Sequence, residues 1–199
     1  MKKIKYLVLS MVVAIALVGA GYAAWTDNIL INTQVNTGML DLSYVDIADE
    51  LVLPEYVTGN VGYAQDQSGD NDWDKAKVTL SNLYPGAKAS VMLKIQNNST
   101  IPVKMNAITD VRSENWGLNG VNFAQIGACV RFYDANGTAL AFDNTTTYAN
   151  PWEPAHLANT LLPVGGWATI EFEFTASDSI AELATYTFDV TALFKQFNQ

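Results

Sequence analysis

A two-residue alternation of apolar and polar side chains recurs along most of this chain and constrains its fold more than any other feature. Val91, Leu93 and Ile95 alternate with Met92, Lys94 and Gln96. Ile170, Phe172 and Phe174 alternate with Thr169, Glu171 and Glu173, and the same habit runs through Leu40, Leu42 and Tyr44, through Val103, Met105 and Ala107, and through Tyr186, Phe188, Val190 and Ala192. A period of two buries one face of a strand and wets the other, as antiparallel sheets do. Several such strands, punctuated by turns, predict an all-β, antiparallel β-sandwich. A helix is expected only ahead of the sandwich, in the amino-terminal segment; along the rest of the chain no long helical pattern competes, and residues 179–182 can cap a single helical turn. Leu83-Tyr84-Pro85-Gly86 and Leu162-Pro163-Val164-Gly165-Gly166 each stand before a strand. Pro85 followed by Gly86 suits the centre of a type II turn, since Pro fixes φ and Gly accepts positive φ.

The amino terminus obeys a different rule. Lys2, Lys3 and Lys5 precede an apolar run over residues 6–20, interrupted only by Ser10 and Gly19. Gly21 and Ala23 then stand three and one before a cut after Ala23; a cut after Ala24 is one residue further on. Small residues at those spacings are what an export peptidase accepts. A membrane span needs about 20 apolar residues, and this run falls short of that, so residues 1–23 read as a cleaved signal peptide with no stable membrane anchor after cleavage. The organisation that follows is a signal peptide at 1–23, an amino-terminal donor strand or linker at 24–37, and one sandwich domain at 38–199.

Charge and cysteine content narrow the functional classes. Loss of residues 1–23 removes three lysines and no acids, leaving 8 basic against 20 acidic residues and moving the formal charge from −9 to −12. Nucleic-acid binding rests on basic contacts to phosphate, so neither nucleic acid nor anionic lipid is an expected partner. Cys129 is the single cysteine, so no intrachain disulfide forms and an exported domain must be held by its core. Within Ala128-Cys129-Val130-Arg131-Phe132, a small buried apolar role is expected for the thiol. Polar stretches over 59–74 and 143–150 read as loops.

Between the cut and the first clear strand, Trp25, Ile29, Ile31 and Val35 share one face of an extended segment with Asp27 and Thr33. One reading is an ordinary first strand of the same sandwich. The other is a strand given to an open sheet edge of another subunit. Ordering a backbone costs about 1–2 kcal/mol per residue, so donation requires a specific acceptor groove.

Three segments resemble the TasA/camelysin family of secreted biofilm-matrix proteins. Val18-Gly19-Ala20-Gly21-Tyr22-Ala23-Ala24-Trp25-Thr26-Asp27 is similar to the family's cut region, and Thr37-Gly38-Met39-Leu40-Asp41-Leu42-Ser43 to its "TGTLDLS" signature. Val78-Thr79-Leu80-Ser81-Asn82-Leu83-Tyr84-Pro85-Gly86, leading on to Ile95-Gln96-Asn97-Asn98-Ser99, resembles its "LSNLKPG" turn and the strand end beyond. The carboxy-terminal half matches only as a strand pattern. The resemblance implies a jelly-roll-like sandwich, export through a dedicated signal peptidase, location in the extracellular matrix or at the cell surface, and self-assembly into a homopolymer through the mature amino terminus, with other matrix proteins as further partners.

Two alternatives remain at this stage. Camelysin-type relatives carry a metalloprotease label, but a zinc protease places two histidines around a glutamate one helical turn apart, and His156 is the single histidine here. A surface adhesion module, with Trp73, Trp116 and Trp152 in its loops, is the other. Catalytic and organic-cofactor residues are not expected. Asp70, Asp72 and Asp74 form the one candidate for a metal, calcium, by alternate carboxylates in a loop; Lys75 stands where an EF-hand needs glycine, and a solvated acidic loop is the competing reading. Asn97, Asn98, Asn136 and Asn144 begin glycosylation sequons.

Overall fold

A computed structural model describes residues 2–24, 38–45, 50–64, 75–112 and 122–198. The chain divides into two units, Met1–Thr37 and Gly38–Gln199. In the first, helix α1 spans Lys2–Ala24 and has neither an acidic first turn nor a basic last turn. No helix among the described residues is long and apolar enough to cross a membrane.

The second unit is a jelly-roll-like β-sandwich. Its strands are β1 (Leu42–Val45), β2 (Leu51–Val52), β3 (Thr58–Ala64), β4 (Lys75–Ser81), β5 (Lys88–Asn97), β6 (Val103–Arg112), β7 (Phe123–Tyr133), β8 (Ala139–Thr145), β9 (Trp167–Ala176) and β10 (Thr185–Gln196). A six-stranded sheet has the order β1-β5-β9-β7-β8, with β2 beside β1 on β5, and a four-stranded sheet has the order β3-β4-β10-β6. Every pairing is antiparallel.

The alternation read from the sequence is the alternation of burial. Val91, Leu93 and Ile95 of β5, Ile170, Phe172 and Phe174 of β9, and Tyr186, Phe188 and Val190 of β10 all point into one core. Aromatic rings interlock the layers: Phe188 meets Phe172 at 5.8 Å and Phe174 at 5.3 Å, both edge-on, the geometry their quadrupoles favour. Tyr44 crosses between sheets, its hydroxyl donating to the Val190 carbonyl at 3.1 Å. Burial pushes the Tyr44 phenol well above its ordinary pKa, with the backbone of Ala192 partly opposing.

The first turn takes the expected form, with Pro85 and Gly86 at its centre: Ala87 N–H donates to the Tyr84 carbonyl at 2.9 Å and Gly86 has φ 76°. In the second Pro163 stands first and Val164 and Gly165 form the centre, Gly166 N–H donating to the Pro163 carbonyl at 3.0 Å with Gly165 at φ 73°. Three expectations are corrected. Leu40 is exposed and Ser43 buried, because residues 38–41 are held by a neighbouring loop before pairing begins at Leu42. Part of the stretch read as a loop from residue 59 is β3, and the start of the second polar loop belongs to β8. Residues 179–182 form no helix; Ile180 N–H closes a turn on the Ser177 carbonyl at 3.3 Å.

Candidate functional site

Two motifs singled out in the sequence lie against each other. The loop that ends β5 grips the chain just before β1. Asn98 N–H donates to the Asp41 carbonyl at 3.0 Å, and Thr100 N–H to that of Met39 at 3.1 Å. Asp41 N–H reaches Ser99 Oγ at 2.8 Å, Ser99 Oγ donates back to the Asp41 carbonyl at 2.9 Å, and Met39 N–H reaches Thr100 Oγ1 at 2.9 Å. Asn97 is the hub. Its amide donates to the carbonyls of Leu162 and Pro163, each at 3.0 Å, while its Oδ1 accepts from Ser99 N–H at 3.0 Å. Gly38 completes the fit, since a Cβ there would stand 2.3 Å from Ile101 Cγ2. This clasp fixes residues 38–41 just ahead of β1, an edge strand of the larger sheet.

The four sheet edges differ in how they are protected. β1 and β2 are short, with four and two residues. β6 is strapped by the segment 150–162, through paired bonds Ile108–Trp152 and Val103–Leu162. β8 carries a register shift opposite Phe132 and Tyr133, and its Asp143 carboxylate accepts His156 N–H at 2.7 Å. Among the described residues β3 has none of these devices. Its seven residues contain no charge and no proline, its register with β4 runs unbroken from Thr58↔Ser81 to Ala64↔Lys75, and no described strand lies beyond it. Short strands, bulges, charges and covering loops are how edges are normally kept from pairing with other chains. Sequence reading missed β3 because Gly59, Asn60 and Gly62 mimic a loop; the signal available was Val61 alternating with Tyr63.

The remaining candidates carry little chemistry. Gly21, Ala23 and Ala24 fall in the last turns of α1. Trp25, Ile29, Ile31 and Val35, and Asp70, Asp72 and Asp74, lie outside the described residues, as do Trp73 and Trp116. Lys75 opens β4 and faces Asp189 at 3.9 Å. Trp152 is buried against β6, which removes it from any ligand surface. His156 is exposed on a 3-10 turn, Ala155–Leu157. Among the described residues no group of three or more His, Cys, Asp or Glu is placed to hold a metal.

Cys129 is corrected: it is half-buried and points outward from β7, into a shallow cavity of about 210 Å³ that Arg131, Asn144, Glu171 and Glu173 also line. Its partial burial pushes the thiol pKa up, and Glu171, Asp143 and Glu173 add to that against Arg131; the protonated thiol is a poor nucleophile. Asp110 and Arg112 pair on β6, and Arg112 lies 5.5 Å from the Tyr148 ring. Of the sequons, Asn97 is buried and its amide fully engaged, whereas Asn98, Asn136 and Asn144 are exposed.

No protein-family model matches the chain, and no curated protein matches it. Among solved structures it is similar to the enzymatically active domain of tailspike protein 4 of bacteriophage CBA120, at 16% identity and TM-score 0.30 over 80% of this chain and 19% of that one. It is also similar to TmCBM61, solved in complex with β-1,4-galactotriose, at 6% identity and TM-score 0.31 over 73% of this chain and 86% of that one. The chain thus spans about a fifth of the tailspike domain's length.

Proposed function

We propose that this protein is an exported structural subunit that polymerises outside the cell, lending its mature amino-terminal segment as a strand to the edge of a neighbouring subunit. The observation that carries this reading is β3, a regular, uncharged edge strand that among the described residues lacks the protections the other three edges have. Its seven residues match the length of residues 29–35, which hold Ile29, Ile31 and Val35 of the amphipathic segment. Strand addition of this kind draws affinity from main-chain hydrogen bonds and specificity from alternate side chains. Two features support it further: the clasp at Met39 and Asp41, which roots the donor segment at a sheet edge, and the resemblance to secreted matrix proteins. A strongly acidic mature chain would repel its own copies at low ionic strength, so assembly strengthens as salt screens that charge.

Electron microscopy of the protein beginning at Ala24 should show filaments. A variant lacking residues 24–35 should keep its cooperative unfolding transition and remain monomeric by light scattering. Filaments formed equally well by the shortened variant would overturn this route of assembly.

A further inference from the structure

The four-stranded sheet ends at one rim in three turns that stand side by side. The register Thr58↔Ser81↔Thr185 sets the start of β3, the end of β4 and the start of β10 in one row, and adjacent strands are about 4.8 Å apart. Each of the flanking turns holds one residue in the left-handed region: Tyr56 at φ 68°, Asn82 at φ 61° and Leu183 at φ 62°. Among the described residues these are the non-glycine residues with positive φ, and all three line a single notch of about 570 Å³ together with Tyr84 and Glu182, over buried Leu83. Asparagine tolerates that conformation; tyrosine and leucine adopt it only against a steric cost.

The cost is not recovered by packing. Tyr56 is 77% and Leu183 84% exposed, and Tyr84 also stands at the surface. The side chains of Tyr56, Asn82, Tyr84 and Glu182 make no hydrogen bond, ion pair or ring contact with another described residue. The backbone beneath them is nevertheless well fixed. Val57 N–H bonds the Pro54 carbonyl at 3.2 Å, Gly86 N–H that of Ala176 at 3.2 Å, and Ala176 N–H that of Ala87 at 2.9 Å. Ser81 and Thr185 hydroxyls meet at 3.0 Å. Strained residues held by a rigid frame, with nothing inside the molecule using their side chains, are the pattern of a ligand site.

The lining selects the ligand. It offers two phenol rings and a leucine for apolar contact, one amide and one carboxylate for hydrogen bonds, and no cation. Phosphates, nucleic acids and acidic polymers are disfavoured by Glu182 and the acidic chain. An extended peptide needs a ladder of backbone partners, which three turns do not offer, and a globular partner needs roughly 800 Å² of surface. A sugar chain presents C–H faces to rings and hydroxyls to amides and carboxylates, and its repeat is close to the spacing of neighbouring strands. We infer that this three-turn notch binds an uncharged glycan, Tyr56 and Tyr84 taking sugar faces and Asn82 and Glu182 their hydroxyls. This site is independent of the assembly reading.

Calorimetric titration of the full mature chain against uncharged oligosaccharides of glucose, galactose, mannose and N-acetylglucosamine, with polygalacturonate as the charged comparison, tests it. At least one uncharged oligosaccharide should bind, and Tyr56→Gly and Asn82→Ala should each weaken it about tenfold, a loss of one ring or one bidentate contact. Tyr56→Gly removes the backbone strain together with the ring, so its melting temperature should hold or rise while binding falls. The inference is overturned if no uncharged sugar binds, if only polygalacturonate binds, or if both variants bind as the parent does.

Discussion

Asn97 shows how one amide sets the position of a whole segment. It is fully buried, and its side chain satisfies two carbonyls of the segment 162–163 while its oxygen receives Ser99 N–H. Asn97→Ala leaves both carbonyls with their backbone donors, Val103 N–H on Leu162 and Gly166 N–H on Pro163, but strands the buried Ser99 N–H, at a cost of roughly 1–3 kcal/mol. Urea unfolding should therefore show a loss of about 1–3 kcal/mol, whereas Asn98→Ala, at an exposed neighbour holding one side-chain bond to Ser43, should cost under about 1 kcal/mol. Equal losses would show that the clasp does not depend on its hub. Cys129 teaches the same parity from the other side. Ala128, Val130 and Phe132 point inward, so the two-residue period places Cys129 and Arg131 on the outer face. Its residue type alone suggested burial, and the alternation around it was the better guide.

Strands were legible where their alternation was strong and their residues bulky. β5, β9 and β10 follow their patterns along most of their length because each is flanked on both sides by other strands, and burial then demands one apolar face. β3 was hidden because an edge strand with Gly59 and Gly62 has few side chains to show a period. The motifs at residues 37–43 and 95–99 were visible as strings, but their mutual contact was not, since it depends on register across the β1–β5 pair. The three-turn notch was invisible for a deeper reason: nothing about tyrosine or leucine announces positive φ. At this scale the acceptor role of β3 is testable without touching the donor. Asn60 is exposed in mid-strand, so Asn60→Lys should change stability by no more than about 0.5 kcal/mol and still suppress filament growth, since an edge lysine opposes strand addition. Unchanged filaments from this variant would move the acceptor to another edge.

The sandwich as a whole is wired through β10. This strand lies between β4 and β6 in the four-stranded sheet, and the Tyr44 hydroxyl reaches its Val190 carbonyl across 146 positions of sequence. Tyr186, Phe188 and Val190 are nearly or fully buried; at about 1.5–3 kcal/mol each, they contribute roughly 5–9 kcal/mol. That is comparable with the entire net stability of a typical domain, about 5–15 kcal/mol. Without β10 the smaller sheet splits into β3–β4 and an isolated β6, and the inner face of the larger sheet loses its cover. Topologies dominated by such distant pairings fold slowly, in milliseconds to seconds, which suits a chain that under the export reading must stay unfolded until it is exported. A chain ending at residue 184 should therefore show no cooperative thermal transition by circular dichroism, while one beginning at residue 38 should keep the transition of the intact sandwich. A cooperative melt in the chain ending at 184 would mean that the core closes without its central strand.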